Sequence, residues 1–405
     1  MPMQFFLARQ PIFDARMRVQ AYELLYRSST ANVFGGIDGN AASSEVIVNS
    51  ILMIGMDSLT RGKLAFINFT EEHLRRRTPL LLSKDLFVVE ILEDVEPSEE
   101  ILNECRNLKE QGYRIALDDF QYSPKFDDFI ALADIIKVDF MLTKGYDREA
   151  VVQRLKRPGL RFLAEKVETM EDYKQAKAYG YELFQGYFFN KPVVISGRGI
   201  SGAKQNYLQL IQEVAMPDLD MNELEEIIKR DVALSFKLLK FINSVVFSLR
   251  HEIRSIRQAL VMLGQKEIVK WFSLILLGDM GSDKPVELMI NATSRGIFCE
   301  LVGRKVGFKE DAQDLFMMGL FSLIDVFLDA EMATILDGLP VSQEVKQALE
   351  GEGGPFRDIL EMIVSLENAR WDQLEELASH FNLTVADVNG MYLDAIKTAN
   401  DSFIV

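Results

Sequence analysis

The sequence predicts an α/β plus all-α protein, in which a parallel α/β barrel precedes a wholly helical domain. Short apolar runs in the first half repeatedly stop on one polar residue and give way to a helical pattern, as in barrels whose sites collect at strand ends. The stretch Ser196-Gly197-Arg198-Gly199-Ile200-Ser201-Gly202 then interrupts the periodicity, and glycine and serine at that density hold no packed element. Beyond it strand-like runs vanish and helical spacing takes over. With 405 residues, more than one core is expected. The expected divisions are a barrel over 1–195, a linker over 196–204 and a helical domain over 205–405.

The barrel elements follow in order. Val19 to Tyr26 reads as a strand, and Phe5 to Ala8 supplies an eighth beside the seven clearer ones. Ala65-Phe66-Ile67 delivers Asn68, after which 71–82 has the pattern of one helix. Phe87-Val88-Val89 delivers Glu90, and a helix over 97–111 has Pro97 and Ser98 as start signals and Gly112 as its stop. Arg114-Ile115-Ala116-Leu117 ends on Asp118 and Asp119. Adjacent carboxylates repel unless a cation lies between them, so this pair is a candidate divalent-metal site, although alone it also serves as a helix cap. Ile135-Ile136 delivers Lys137, Phe162-Leu163-Ala164 delivers Glu165 ahead of a helix over 170–179, and Glu182-Leu183-Phe184 delivers Gln185.

In the second half, Asp220 with Glu223, Asp231, and Ser255 with Gln258 stand where helices start, and Gly264 where one stops. Further helical patterns run through Trp271, through 297–301, 315–327 and 371–378. Trp271 and the Met317-Met318 pair read as core, and the acids Glu223, Glu225 and Glu226 as a solvated face.

Composition narrows the function. A formal charge of −16 and a pI near 4.9 argue against broad nucleic-acid binding, which depends on a basic surface. Cys105 and Cys299 are the only cysteines, so no disulfide framework or thiolate cluster is expected and a reducing compartment fits. The first ten residues lack a signal-peptide pattern, and no apolar run is long enough to span a bilayer. The expectation is a cytoplasmic protein that binds neither membrane nor nucleic acid.

Six stretches together resemble the EAL family of cyclic di-GMP phosphodiesterases. Glu23-Leu24-Leu25-Tyr26-Arg27 is similar to its Glu-Ala-Leu-Leu-Arg signature, Glu90-Ile91-Leu92-Glu93 to Glu-Leu-Thr-Glu, and Asp118-Asp119-Phe120 to Asp-Asp-Phe-Gly. Lys137-Val138-Asp139 resembles Lys-Ile-Asp, Ala164-Glu165-Lys166-Val167-Glu168 resembles Ala-Glu-Gly-Val-Glu, and Gln185-Gly186-Tyr187-Phe188-Phe189 with Lys191-Pro192 resembles the closing motif. The second half resembles HDOD domains, and the pairing is similar to YuxH-like EAL-HDOD signalling proteins. The resemblance implies an EAL-type TIM-like (β/α)8 barrel followed by a helical HDOD domain.

It also implies chemistry. The metal ligands would be Glu23, Asn68, Glu90, Asp118 and Asp119, whose hard oxygens suit Mg²⁺ or Mn²⁺ and not zinc. Glu165 would be the general base, Lys137 would stand near the attacking water, and Glu93 would brace the loop after Asp119 in support of catalysis. Arg27, Gln185 and Asp139 would contact or position cyclic di-GMP, the fork of an arginine matching phosphate oxygens or a guanine edge. Barrels of this family commonly pair, so a homodimer is an implied assembly, and the helical domain would meet a protein partner.

Two departures stand out. Where the family continues Gly-Thr-Gly after Asp-Asp-Phe, this chain has Gln121-Tyr122-Ser123-Pro124-Lys125, so positive-φ freedom is lost, Pro124 fixes a torsion and the loop must be shaped differently. In the helical half, Ser322 and Leu323 occupy the place of the His-Asp pair of HD phosphohydrolases, and neither replaces an imidazole and a carboxylate on a metal. The domain's own histidines, His251 and His380, lie outside this stretch. The domain therefore reads as regulatory. Three classes fit the whole: a phosphodiesterase giving pGpG, a cyclic di-GMP receptor without turnover, and a scaffold. Retention of Lys137, Asn68 and every motif carboxylate favours the first two.

Overall fold

A computed structural model of the chain describes residues 5–28, 59–143, 145–186, 208, 210–212, 214–216, 221–230, 235, 238–239, 242, 253, 255–281, 284–336 and 338–402. The linker at 196–204, the residues from Tyr187 to Pro192, Asp220, Asp231 and His251 lie outside the described residues. Eight described strands close into one barrel in sequence order: β1 (Phe5–Asp14), β2 (Val19–Ser28), β3 (Leu64–Phe69), β4 (Phe87–Ile91), β5 (Arg114–Leu117), β6 (Ile135–Asp139), β7 (Arg161–Glu165) and β8 (Leu183–Phe184).

The sheet is not parallel throughout. From β2 to β8 each neighbour is parallel, but β1 is antiparallel to both β2 and β8. The connection between β1 and β2 is too short for the crossover that parallel neighbours need. Asp14 shapes that turn, accepting from the backbone N–H of Arg16 at 2.8 Å and of Arg18 at 3.0 Å, while Met17 takes φ 61°.

Between the strands the helices start and stop where their caps dictate. Ser98 Oγ accepts from Ile101 N ahead of the helix Glu99–Glu110, whose Ile101, Leu102, Cys105 and Leu108 are buried against the barrel. Thr169 caps Met170–Tyr179, the span read from sequence. The single helix expected over 71–82 is instead an α-helix Glu71–Arg75 and a 3₁₀ turn Thr78–Leu81. Arg77 at φ 57° breaks the ladder, and Pro79 has no N–H with which to resume it.

Chain contacts define two compact units, Met1–Lys191 with Glu361–Lys397, and Pro192–Leu360 with Thr398–Val405. This differs from the expected helical domain over 205–405, because 361–397 groups with the barrel. There Trp371 stacks on Phe6 with ring centroids 6.0 Å apart, Leu7 N donates to buried Asn389 Oδ1 at 3.1 Å, and Leu393 packs on the barrel's outer apolar layer.

The second unit has helices and no strand among its described residues. Ser255 caps a helical run Ile256–Met280, which Gly264 interrupts at φ 72° where a stop was expected. The helices Val286–Val306 and Ala312–Phe321 approach so closely that a Cβ on Gly319 would lie 2.3 Å from the Arg295 carbonyl oxygen. Trp271, Met317 and Met318 are buried core residues. No described helix is long and apolar enough to cross a membrane.

Candidate active site

One apolar layer fills the barrel with a side chain from every strand: Ile12, Ala21, Phe66, Val88, Ala116, Ile135, Leu163 and Leu183. Side chains alternate along a strand, so the next inward residue lies two positions on. For β2 to β8 that step reaches Glu23, Asn68, Glu90, Asp118, Lys137, Glu165 and Gln185. Because β1 runs the other way, its step from Ile12 goes backwards and reaches Gln10, which is paired in register with Glu23. The polar strand tips are thus a second layer stacked on the apolar one, at the end where the parallel strands finish.

Lys137 is at the centre, with no exposed surface. Its ammonium contacts Glu90, donates to Glu165 at 2.8 Å and Asp118 at 2.9 Å, and lies 3.6 Å from Glu23. Taken singly such a lysine is a surface ion-pair former, but here it is an internal counter-ion. Burial alone would lower its pKa, yet Glu165, Glu23, Glu90 and Asp118 together hold it well above the usual lysine value. Burial pushes Glu90 and Glu165 well above the carboxylate range despite Lys137. At Asp118 burial also raises the pKa, but attraction and a hydrogen bond from Lys137 outweigh it, so the group is lowered. Asp119 is raised by burial and then by the charge of Asp118.

One ammonium does not balance Glu23, Glu90, Asp118, Asp119 and Glu165, and uncompensated buried charge is costly. The oxygens Asn68 Oδ1, Glu90 Oε2, Asp119 Oδ1, Glu165 Oε2 and Gln185 Oε1 are buried without a hydrogen-bond donor. Carboxylate oxygens of Asp118, Asp119 and Glu165 also lie within 4.8 Å of one another. Donor-less hard oxygens around excess negative charge are the environment that a divalent cation such as Mg²⁺ or Mn²⁺ satisfies. The residues present fit such an ion.

The remaining candidates divide. Gln185 Nε2 donates to Glu23 Oε2 at 2.6 Å and to Gln10 Oε1 at 2.9 Å, which leaves its own oxygen facing without a donor. Asp139 is buried, but its carboxylate caps the next turn by accepting from Met141 N at 2.6 Å and Leu142 N at 2.9 Å, and it pairs with Lys166. Glu93 is exposed and lines a cavity of about 330 Å³ with Asp118, Asp119 and Gln121. Arg27 is placed in β2 opposite Phe6, and its side chain lies outside the described residues. The altered loop is a 3₁₀ turn Pro124–Phe126, with the Arg154 guanidinium 3.6 Å from the Tyr122 ring centroid and Lys125 paired to Glu96 at 2.8 Å.

Two positions carry what sequence reasoning missed. Lys166 stands where the resembled motif has glycine, and its backbone keeps the glycine-like φ of 50°. Its half-exposed side chain reaches Asp139 and lies 3.6 Å from Asp119. Gln10 is the second; the alternation Gln10, Ile12 would have revealed it had β1 been read in reverse. Gly186, at φ 140°, allows β8 to leave beside Val167, whose backbone oxygen would be 2.2 Å from an added Cβ.

The helical unit offers no comparable arrangement at the position sequence reasoning compared. Ser322 ends the helix Ala312–Phe321, donating to Gly319 O at 2.7 Å and accepting from Arg295 at 3.1 Å, and Leu323 is buried.

An EAL-domain profile matches residues 50–192 and an HDOD-domain profile matches 202–350. The chain is 38% identical over 403 residues to the uncharacterized protein YuxH of Bacillus subtilis, covering 98% of each. It is 36% identical over 400 residues to the cyclic di-GMP phosphodiesterase CdgJ of Vibrio cholerae, covering 98% of this chain and 92% of that protein. Among solved structures, the manganese/cy-diGMP complex of Klebsiella pneumoniae BlrP1 at pH 6 is 23% identical with a TM-score of 0.39, covering 47% of this chain and 57% of that one.

Proposed function

The chain belongs to the family in which an EAL domain is followed by an HDOD domain, and we propose that its barrel hydrolyses cyclic di-GMP to pGpG with a divalent metal. The buried donor-less oxygens of Asn68, Glu90, Asp119, Glu165 and Gln185 around Lys137 carry this reading, and the name of the relative CdgJ supplies the substrate. Glu23, Asn68, Glu90, Asp118 and Asp119 would hold Mg²⁺ or Mn²⁺. When bound, the ions supply positive charge for the phosphate oxygens and acidify the attacking water.

Glu165 is the base. Burial raises its pKa above that of an exposed glutamate, which strengthens it as a proton acceptor. Lys137 holds the carboxylates together and keeps Glu165 in reach of the ring's centre. Arg27 and Gln185 orient the dinucleotide, and Glu93 acts from the cavity rim. The exposed apolar side chains of Met141, Leu142 and Tyr146 support the barrel as one half of a homodimer. The helical domain is regulatory and meets a protein partner, and the protein works in the cytoplasm.

The test is incubation with cyclic di-GMP and Mg²⁺ or Mn²⁺, products being resolved by chromatography. pGpG should form, Ca²⁺ should inhibit, and Glu165→Gln should lower kcat by about 10²–10⁴ while cyclic di-GMP still binds. Binding without product would make the barrel a receptor, and wild-type turnover by Glu165→Gln would remove Glu165 as base.

A further inference from the structure

Gln10 connects the polar ring to a segment that follows most of the second unit in sequence. Its Nε2 donates to the backbone carbonyl of Glu367 at 2.9 Å, and its Oε1 accepts from Gln185 Nε2. Glu367 is the last residue of the helix Pro355–Glu367, where carbonyls have no partner within their own helix. A carbonyl only accepts, so it fixes which way the Gln10 amide points. Gln10 then presents oxygen to Gln185, and the carboxylate of Glu23, also an acceptor, draws on the same nitrogen. With its nitrogen committed twice, Gln185 turns Oε1 away, and that oxygen is buried without a donor.

We propose that the segment Glu361–Lys397 is a working part of the barrel's site: the Glu367 carbonyl sets the polarity of a two-glutamine relay that presents Gln185 Oε1 and steadies Glu23 for the metal. This deepens the reading of the ring as a metal site and rests on it. Gln10 is a positioning residue, acting through Gln185 and Glu23. The segment is anchored independently on the same strand, by the Trp371 stack on Phe6 and the buried bond from Leu7 N to Asn389 Oδ1. Phe6 lies beyond Gln10 towards the end of the barrel that carries the ring, so these anchors hold Glu367 beside the site.

The test uses the full chain and Mn²⁺ as probe, with affinity measured by titration calorimetry and by electron paramagnetic resonance without nucleotide. Gln10→Met keeps the side-chain length and removes the hydrogen bonds to Glu367 and Gln185. It should weaken Mn²⁺ binding about tenfold, as loss of a residue supporting metal ligands does, with the melting transition still cooperative. Asn389→Ala, which loosens the segment, should weaken Mn²⁺ binding in the wild-type background and add nothing in the Gln10→Met background, since coupled residues are non-additive. Trp371→Ala provides the same comparison if Asn389→Ala does not fold. Wild-type Mn²⁺ affinity in Gln10→Met, or equal losses from Asn389→Ala in both backgrounds, would overturn the relay. These outcomes separate it from the proposed activity: a wild-type chain that binds Mn²⁺ without hydrolysing cyclic di-GMP defeats the activity and leaves the relay testable.

Discussion

The barrel and the helical unit treat a half-buried aspartate in opposite ways. Asp118 has Lys137 at 2.9 Å, and its pKa is lowered despite burial. Asp325, following the Ser322-Leu323 pair, has its pKa raised by burial, with Arg295 and a backbone bond only partly offsetting it. The first aspartate belongs to a layer in which every strand contributes a polar tip. The second stands beside Ser322, whose hydroxyl is already committed to Gly319 and Arg295. A carboxylate is favoured as a ligand when a neighbour keeps it ionised and the oxygens around it lack donors, as Lys137 and the oxygens of Asn68, Glu90, Asp119, Glu165 and Gln185 do for Asp118.

The largest effect is expected where the ring depends on backbone contact. Gly186→Ala would place a Cβ 2.2 Å from Val167 O and 2.4 Å from Val167 N, and neither backbone atom can rotate aside. Displacing Gln185 by about 1 Å should cost on the order of a hundredfold in kcat, with about 1–3 kcal/mol of stability lost to overpacking. Steady-state kinetics with a denaturant melt measure both, and near wild-type kcat would show that the ring tolerates a shifted Gln185.

A smaller effect is expected at Lys166. Lys166→Gly removes the left-handed strain of a side chain at φ 50° together with a half-exposed ion pair to Asp139. These oppose each other, so stability should change by less than about 1 kcal/mol. Asp119 loses a nearby cation that competes for it, so Mn²⁺ affinity should rise a few-fold. Weaker Mn²⁺ binding would instead make Lys166 a brace for the site.

The smallest change is expected in the helical unit. Ser322→His restores one half of the missing pair, but Leu323 remains buried and without a ligand atom. No gain in zinc or manganese binding should be seen by calorimetry on the full chain, and barrel turnover should stay unchanged. A newly bound metal would show that the fold retains a usable site there.

Much of the barrel was legible because strand alternation is local. Asn68, Glu90, Lys137, Glu165 and Gln185 each follow an apolar run, and the same two-residue step that makes them tips also makes them neighbours. Gln10 escaped because only the sheet reveals that β1 is antiparallel, and the expected strand at Phe5 to Ala8 stopped before reaching it. The break at Arg77 had a signal that the reading over 71–82 passed over: no apolar residue follows Leu74 until Pro79, which cannot continue a helix. The grouping of 361–397 with the barrel had no local signal at all: the bond from Leu7 to Asn389 joins residues 382 apart in sequence, while the helices there, the end of Pro355–Glu367, Trp371–His380 and most of Val385–Ser402, have the amphipathic pattern of any surface helix.

The reversed first strand also bears on the order in which the protein acquires its shape. β1 and β2 are joined by a short turn and can meet early, whereas β1 meets β8, among the described residues, through Phe13 with Phe184 and Asp14 with Leu183. Closing that seam spans nearly the entire barrel sequence, and such non-local pairings are slow because chain entropy must be given up before the contact forms. The bond from Gln185 to Gln10 crosses the same seam. Metal-binding competence should therefore arrive with the last refolding phase, and stopped-flow refolding in Mn²⁺ would show it: an unclosed barrel can have most of its helices and still lack a complete ring.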